Sequence, residues 1–378
     1  MRVLILGPNH AGGSLPPYLD VLAAGLRGHG VTVDRRGSTE IPYDQAARRF
    51  WPIERMIAEA RALADSVDLG AYDVVSLHCG NLEVDQLVPA LWANNRPGPP
   101  VVSHVHTLAP TLFRDHVPNP HWRHVARQAF RTAHGYVYFG RFARDRLTRT
   151  IPGGRPDGVA WLPTTIPAGT VSRARPALAV ALDVARGWPV ISLYGYAAPW
   201  KDAALLRAAL ARMRTPARVV LAGDFWDDPA QAGIDLSGAT TPMRLGVGEF
   251  VVVPGYLGPA DRAALVRASA AGVFAYRPHP SFQGSGAIAD YLAHAVPVVA
   301  TDTANMAELV GDAGHVVPTG DPIALATALD MVAAADAPAR NLAARATARA
   351  HRFTAQTHAT RCLAVYQRVL DATAGRTA

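Results

Sequence analysis

The stretch Pro189–Met213, PVISLYGYAAPWKDAALLRAALARM, decides the fold. A short continuous apolar run ends at Gly195, and six residues later Lys201 opens the helical segment KDAALLRAALARM. Short unbroken apolar runs read as buried parallel strands, and a strand followed by a turn and a helix is the repeating piece of an open α/β sheet. The same stretch holds a compositional oddity. All but one of the 37 basic residues are arginine, and the exception is Lys201. A compact ammonium does what a planar guanidinium does poorly. At a strand-to-helix turn it can reach an anion lying beyond the carboxyl end of the sheet. A cation there is mildly disfavoured by the helix dipole, which weighs toward a functional reason for it.

Outward from this stretch the alternation continues on both sides. Downstream come ARVVLAG, EFVVVPG, AGVFAY, VPVVATD and GHVVP, with helical patterns between them and to about Ala372. Upstream lie RVLIL, VTV at 31–33, VVSL at 74–77, VVSHVH at 101–106, GYVYF at 135–139 and VAWL at 159–162. Between the halves, LPTTIPAGTVSRARPALAV is rich in Pro, Thr, Gly and Ala and reads as a linker. Two Rossmann-like, doubly wound α/β units in series are therefore expected, residues 1–168 and 169–357. Such sheets bind ligands at the carboxyl ends of their strands, so two units would face each other across a cleft.

Composition bounds the function classes. A chain of 378 residues is long enough for two domains, and 49% apolar residues supply real cores. The net charge of +7 suits nucleic acid, an anionic surface or phosphate-bearing substrates. Its arginines are scattered rather than run into a block, which disfavours nucleic acid. Cys79 and Cys362 stand far apart with no CxxC, so no disulfide framework or zinc site is expected. MRVLILGPNH is too short in its apolar run for a signal peptide, no segment approaches a membrane span, and a cytoplasmic location is expected.

Two further elements in the second half carry chemistry. Within YRPHPSFQGSGAIADYLAHAVPVVATD, Gly284 and Gly286 let the backbone approach a ligand, and the amides of Ser285 to Ala287 start a helix. Asp290, one turn into that helix, is placed to accept from a ribose hydroxyl. Lys201 and this turn would point at one diphosphate.

These motifs resemble the nucleotide-sugar domain of family-four retaining glycosyltransferases, of GT-B fold, in an actinobacterial type with a variant donor motif. The family carries Gly-Arg, four residues, then Lys after the first strand of its second domain. Here that element reads Gly195-Tyr196-Ala197-Ala198-Pro199-Trp200-Lys201, with Tyr196 at the arginine position. The second glutamate of the family's Glu-x7-Glu element falls on Asp290. The first has no acidic counterpart, Phe282 or Gln283 occupying the region. Glu308 matches the family's Glu ahead of G-x-V-x-P-x-x-D-P. The tail from residue 358 to 378 resembles a closing helix that crosses back to the first domain.

In the first half, GPNHAGGSLPP follows the first strand, and the resemblance implies a cleft-lining double-glycine loop at Gly12 and Gly13. A dinucleotide oxidoreductase, with Asp34 ending the second strand, competes weakly, because the glycine spacing is not G-x-G-x-x-G. His104 and His106 alternate with apolar residues and share a face. The resemblance puts a histidine of this strand near the donor sugar, which assigns His106 a catalytic role beside Lys201 and leaves His104 to the core. LHCGNLEVDQL offers His78, Asn81 and Glu83, with His10, to an acceptor, and Asp85 reads as a helix N-cap or first-turn acid.

The resemblance implies a retaining, metal-independent transfer from a nucleotide diphosphate sugar, a UDP-sugar by choice, with no cofactor. A small-molecule acceptor of secondary-metabolite or aminocyclitol type is favoured. Alternatives are an envelope lipid or polysaccharide acceptor, a GT-B sugar-nucleotide epimerase, and a non-catalytic sugar-nucleotide-binding relative. The basic-aromatic segments ARRFWPIERM and NPHWRHVARQAFR leave peripheral membrane contact as a lesser possibility.

Overall fold

Strand β1 (Arg2–Leu6) sends alternate side chains to opposite faces of its sheet, and both faces are buried. Val3 and Ile5 join Tyr18, Leu22 and Leu26 of the helix Leu15–Gly28 and Val365 and Val369 of the C-terminal helix Ala355–Thr377. Leu4 and Leu6 join Met56, Ile57 and Ala60 of the helix Ile53–Asp65. A strand covered on both sides has no reason to alternate apolar with polar, which is why RVLIL reads as one apolar run. This computed structural model describes residues 1–378 apart from 11–12, 45–48, 80–83, 94–97, 109–130, 132, 150–152, 185–186, 197, 199, 225–239, 281, 335 and 378.

The chain divides into two compact units. The first comprises residues 1–162, 280–283 and 355–378, and the second 163–279 and 284–354. In the first, β1 is followed by β2 (Thr32–Arg36), a small antiparallel pair β3 (Tyr43–Asp44) and β4 (Arg49–Phe50), then β5 (Val74–Cys79), β6 (Val101–Val105), β7 (Gly135–Tyr138) and β8 (Asp157–Val159). The main sheet is parallel throughout, in the order β2-β1-β5-β6-β7-β8. The strand order reverses direction between β1 and β5.

In the second unit the strands are β9 (Val190–Tyr194), β10 (Arg218–Gly223), β11 (Met243–Leu245), β12 (Gly248–Pro254), β13 (Ser269–Phe274), β14 (Val298–Thr301) and β15 (Gly314–Val317). Their order is β11-β12-β10-β9-β13-β14-β15, with β11 alone antiparallel, at the edge. Without β11 this is a doubly wound sheet whose order reverses between β9 and β13. Ligands of such sheets bind beyond the carboxyl ends of the strands at the reversal. In this chain those places are the loops after β1 and β5 in one unit, and after β9 and β13 in the other.

Local sequence explains the helix starts at the second reversal. Asp202 caps the helix Ala203–Leu210 by accepting from Leu205 N at 2.9 Å. Lys201 therefore stands just ahead of the helix, not in its first turn. Among the described residues no single helix is long and apolar enough to cross a membrane.

Candidate functional site

In the second unit, Gly195 leaves β9 at φ +111°, a conformation that favours glycine. A Cβ on Gly223, at the end of β10, would overlap Gly195 O, so the two strand ends pass each other as bare backbone. Lys201 comes to the same place from the next loop. The segment 200–202 is laced to 275–277 by Asp202 N to Ala275 O and Arg277 N to Trp200 O, both 2.8 Å, with Lys201 and Tyr276 paired as an antiparallel bridge. Lys201 Nζ donates to Tyr194 O at 3.3 Å, and the residue is 9% exposed. It lines a recess with Gly195, Leu206, Leu221, Gly223 and Asp224.

Among the described residues no carboxylate pairs with this ammonium. Burial lowers its pKa to about 7. Buried charges are ordinarily paired, because taking an ion out of water costs several kcal/mol. An anion entering the recess would supply the missing partner.

Tyr276 ties Lys201 to the glycine turn. Its backbone forms the bridge to Lys201, and its hydroxyl lies 3.5 Å from Ser285 Oγ. A Cβ on Gly284 would lie 3.3 Å from Leu309 Cδ1 and 3.4 Å from Asn305 Cβ, and Gly286 is the N-cap of the helix Ala287–Ala293. Lys201, Gly195, Gly284, Ser285, Gly286 and Ala287 thus share the β9/β13 reversal. Tyr196 is half-buried, its ring 6.3 Å from that of Tyr256, and it brings no charge to the arginine position. Glu308 lies in the first turn of the helix Met306–Val310.

One expected donor contact is corrected. Asp290 is 1% exposed, and its carboxylate is already filled. Oδ1 accepts from Thr164 Oγ1 and Thr165 N, both at 2.6 Å, while Oδ2 accepts from Thr165 Oγ1 at 3.2 Å and from the Tyr194 hydroxyl. Arg262 adds an ion pair at 3.8 Å. No lone pair is left for a ribose hydroxyl, and Asp290 instead anchors residues 164–165 of the expected linker within the second unit. Gln283 belongs to the first unit. Its Nε2 donates to Val105 O at 2.5 Å.

In the first unit the reversal is occupied by imidazoles. Val74, Ser76 and His78 of β5 stand on one face, beside Val102 and His104 of β6, and the row begins apolar and turns polar toward the carboxyl end. His78 and His104 are register partners with ring centroids 4.0 Å apart. Ser76 Oγ lies 2.7 Å from His78 Nε2, 3.0 Å from His104 Nε2 and 2.7 Å from the Tyr366 hydroxyl, which is itself 2.8 Å from His104 Nε2. His78 Nδ1 is 3.1 Å from His106 Nε2. Tyr18 OH joins His104 Nδ1 at 3.3 Å and His358 Nε2 at 2.9 Å, and His358 Nδ1 donates to Trp161 O at 2.8 Å.

Burial lowers the pKa of all four imidazoles, His106 to about 3 and His358 to about 4. They are neutral near pH 7. Among the described residues no group of His, Cys, Asp and Glu is arranged to hold a metal ion.

His106, at the end of β6, is partly exposed, and its ring is held by Phe139 and Tyr18, with centroids at 4.6 and 4.9 Å. His104 is in the core, as expected. His78 is corrected: it is fully buried and cannot touch an acceptor, because its β5 position points it under His106. His10 follows β1 and is partly exposed, and Gly13 beside it has φ +82°. Gly12, Asn81 and Glu83 lie outside the described residues. Asp85 is the first-turn acid of the short 3-10 helix Val84–Leu87; it is buried, and its Oδ1 accepts from Ser38 N at 2.7 Å, while burial raises its pKa to about 7.

Sequence reading missed Ser76, Tyr18, His358 and Tyr366. The signal for Ser76 was present, since it sits two residues from His78 inside an apolar strand. Nothing local marks the other three, which arrive from distant helices.

Residues 189–334 match the family model described as Glycosyl transferases group 1. No curated protein matches the chain by sequence. Among solved structures, sucrose-phosphate synthase from Thermosynechococcus elongatus is similar at TM-score 0.69 and 17% identity, covering 98% of this chain and 99% of that one. HepE of Anabaena, solved in complex with UDP and glucose, is similar at TM-score 0.66 and 18% identity over 97% and 99%. AviGT4, a glycosyltransferase involved in avilamycin A biosynthesis, is similar at TM-score 0.59 and 18% identity over 98% of each chain. The fold is that of GT-B glycosyltransferases, with two parallel-sheet α/β units in one chain.

Proposed function

We propose that this chain, which carries a group 1 glycosyl transferase match over residues 189–334 and the GT-B fold along its length, is a retaining glycosyltransferase. It moves a sugar from a nucleotide diphosphate sugar to a hydroxyl of a small-molecule acceptor and uses neither metal nor cofactor. The observation that carries this reading is Lys201, a buried ammonium at the sheet reversal with no carboxylate beside it. As the bond from the anomeric carbon to the diphosphate breaks, negative charge grows on the leaving oxygens. A preorganised cation in a partly dry recess stabilises that charge more than it stabilises the ground state. The acceptor oxygen bonds to the anomeric carbon on the same face, and its proton departs with the diphosphate. His106 meets a sugar hydroxyl.

UDP is the first choice of nucleotide, supported by the HepE complex with UDP and glucose, and AviGT4 supports a secondary-metabolite acceptor. A sugar-nucleotide-binding protein without turnover is the second reading. It is favoured by Tyr196 at the arginine position and by the engaged carboxylate of Asp290.

The test is calorimetric titration of UDP, GDP, ADP and TDP, without divalent cations, into the wild type and Lys201→Ala. One nucleotide is expected to bind, and the variant to lose about 1.5–3 kcal/mol, the worth of a charged hydrogen bond. Equal binding by both proteins, or none by either, removes the donor-site assignment. Binding without transfer to any hydroxylated acceptor selects the second reading.

A further inference from the structure

The buried imidazoles of the first unit form one connected hydrogen-bond chain, and its protons can be counted. At one end Trp161 O accepts from His358 Nδ1, which fixes that proton. The neutral ring then leaves Nε2 as an acceptor, so the Tyr18 hydroxyl donates to it. Cys362 Sγ, 3.5 Å away, is a second and weaker neighbour of the same nitrogen. With its proton committed, Tyr18 oxygen accepts from His104 Nδ1. His104 Nε2 therefore carries a lone pair toward Ser76 and Tyr366.

Four short contacts now share few protons: Ser76 with His78, with His104 and with Tyr366, and Tyr366 with His104. The two hydroxyls bring one proton each, so by themselves they fill at most two of the four. If His78 Nε2 carries a proton and gives it to Ser76 Oγ, three are filled. Unfilled contacts between buried polar atoms are costly, so the assignment with the proton on His78 Nε2 wins. His78 Nδ1 is then an acceptor, and it takes the proton of His106 Nε2 at 3.1 Å. The lone pair of His106 is left on Nδ1, to which no described residue bonds.

We propose that Ser76, His78, His104 and Tyr18 are positioning residues which lock His106 in its Nε2–H tautomer, so that Nδ1 accepts a hydrogen bond from a ligand hydroxyl. The low pKa values of the four rings agree with this, since each stays neutral and holds one proton only. The identity of the hydroxyl, on the donor sugar or the acceptor, rests on the glycosyltransferase reading. The tautomer does not.

The tautomer is read by long-range proton–nitrogen correlation on the ligand-free protein labelled with 15N-histidine, with His106→Gln used to assign the signal. The wild type is expected to show His106 protonated at Nε2. Ser76→Ala removes the acceptor of His78, and Tyr18→Phe removes one oxygen while keeping the ring. Both should move His106 toward Nδ1–H, although neither residue hydrogen-bonds to it. Tyr366→Phe leaves Ser76 to donate to His104 and should change nothing. In transfer assays, Ser76→Ala should lose about threefold to tenfold in kcat/KM, the worth of one hydrogen bond.

An Nδ1–H signal in the wild type, or a tautomer indifferent to both Ser76→Ala and Tyr18→Phe, overturns the inference. Tyr18→Phe keeps it testable if Ser76→Ala does not fold. Absence of nucleotide binding would overturn the glycosyltransferase reading instead and leave the tautomer measurement standing.

Discussion

At the scale of the residue, Lys201 was legible because its composition is singular, and its turn placed it at a strand end. Its electrostatic state was not legible. That depends on Tyr194 O, Gly195 and the bridge to Tyr276, which is 75 positions away in the chain. The state has a measurable consequence. Burial lowers the Lys201 pKa to about 7, so the charged form predominates below pH 7 and is lost as pH rises through 7. A bound diphosphate restores the charge, and binding must take up a proton. Between pH 7 and 8.5 the dissociation constant of the bound nucleotide should rise roughly fifteenfold, at about 1.4 kcal/mol per unit of pKa. The binding enthalpy should also vary with the ionisation enthalpy of the buffer. Flat affinity with no proton uptake would mean that the ammonium does not face the phosphates. Asp290 fails as a sequence reading for the converse reason. A carboxylate one turn into a helix looks available, and only the return of Thr164 and Thr165 shows that it is full.

At the scale of the element, the apolar runs located the strands because both faces of each sheet are covered. Differences arise where burial and pairing part company. The run VAWL is buried at Ala160 and Trp161, yet β8 pairs with β7 over Asp157–Val159 and ends there. β11 escaped notice because Met243 and Arg244 are exposed and the edge strand carries no apolar pattern. Helix contact is harder still to read. Gly25 sits inside the helix Leu15–Gly28, where propensity alone says that alanine would gain about 1 kcal/mol. Its missing side chain instead admits the C-terminal helix: a Cβ would lie 2.6 Å from Ala355 O and 3.0 Å from Ala359 Cβ. Overpacking of this kind costs about 1–3 kcal/mol, and contact with backbone puts Gly25→Ala toward the upper end, so it should be net destabilising by up to about 2 kcal/mol in denaturant unfolding. At Gly28 the nearest atom to a Cβ is Gln356 Nε2 at 3.7 Å, and Gly28→Ala should be close to neutral. Stabilisation by Gly25→Ala would show that the helix pair has slack that the packing denies.

At the scale of the whole molecule, the two units place their polar groups differently, and acid should separate them. The first unit buries His78, His104 and His358 and nearly buries His106, all with lowered pKa. In the unfolded chain each returns to its ordinary value near 6.5. Below that pH the unfolded state binds more protons than the folded one, so stability falls with pH, down to the folded values of about 4 for His358 and about 3 for His106. At pH 5.5 His106 and His358 are unprotonated in the folded state and largely protonated in the unfolded one. Each then removes about 1.4 kcal/mol relative to pH 7.5, and the buried His78 and His104 act in the same direction. Asp85, raised by burial to about 7, takes up a proton in the folded state across this window and opposes the loss by about 2 kcal/mol. In the second unit burial also lowers His279 and His315, but both rings are partly exposed, and Lys201, with its pKa lowered to about 7, regains its proton within this window at a cost of only about 1 kcal/mol. Hydrogen exchange read by mass spectrometry at pH 7.5 and 5.5, corrected for intrinsic rates, should therefore show β1, β5, β6 and the C-terminal helix losing protection first. β9, β10 and β13 should hold. Replacing His358 and Cys362 with an apolar pair tests the cause, since removing the His358 ring should recover about 1.4 kcal/mol of the acid loss in the first unit and none in the second. Equal loss across both sheets would place the acid sensitivity elsewhere than in the imidazole chain.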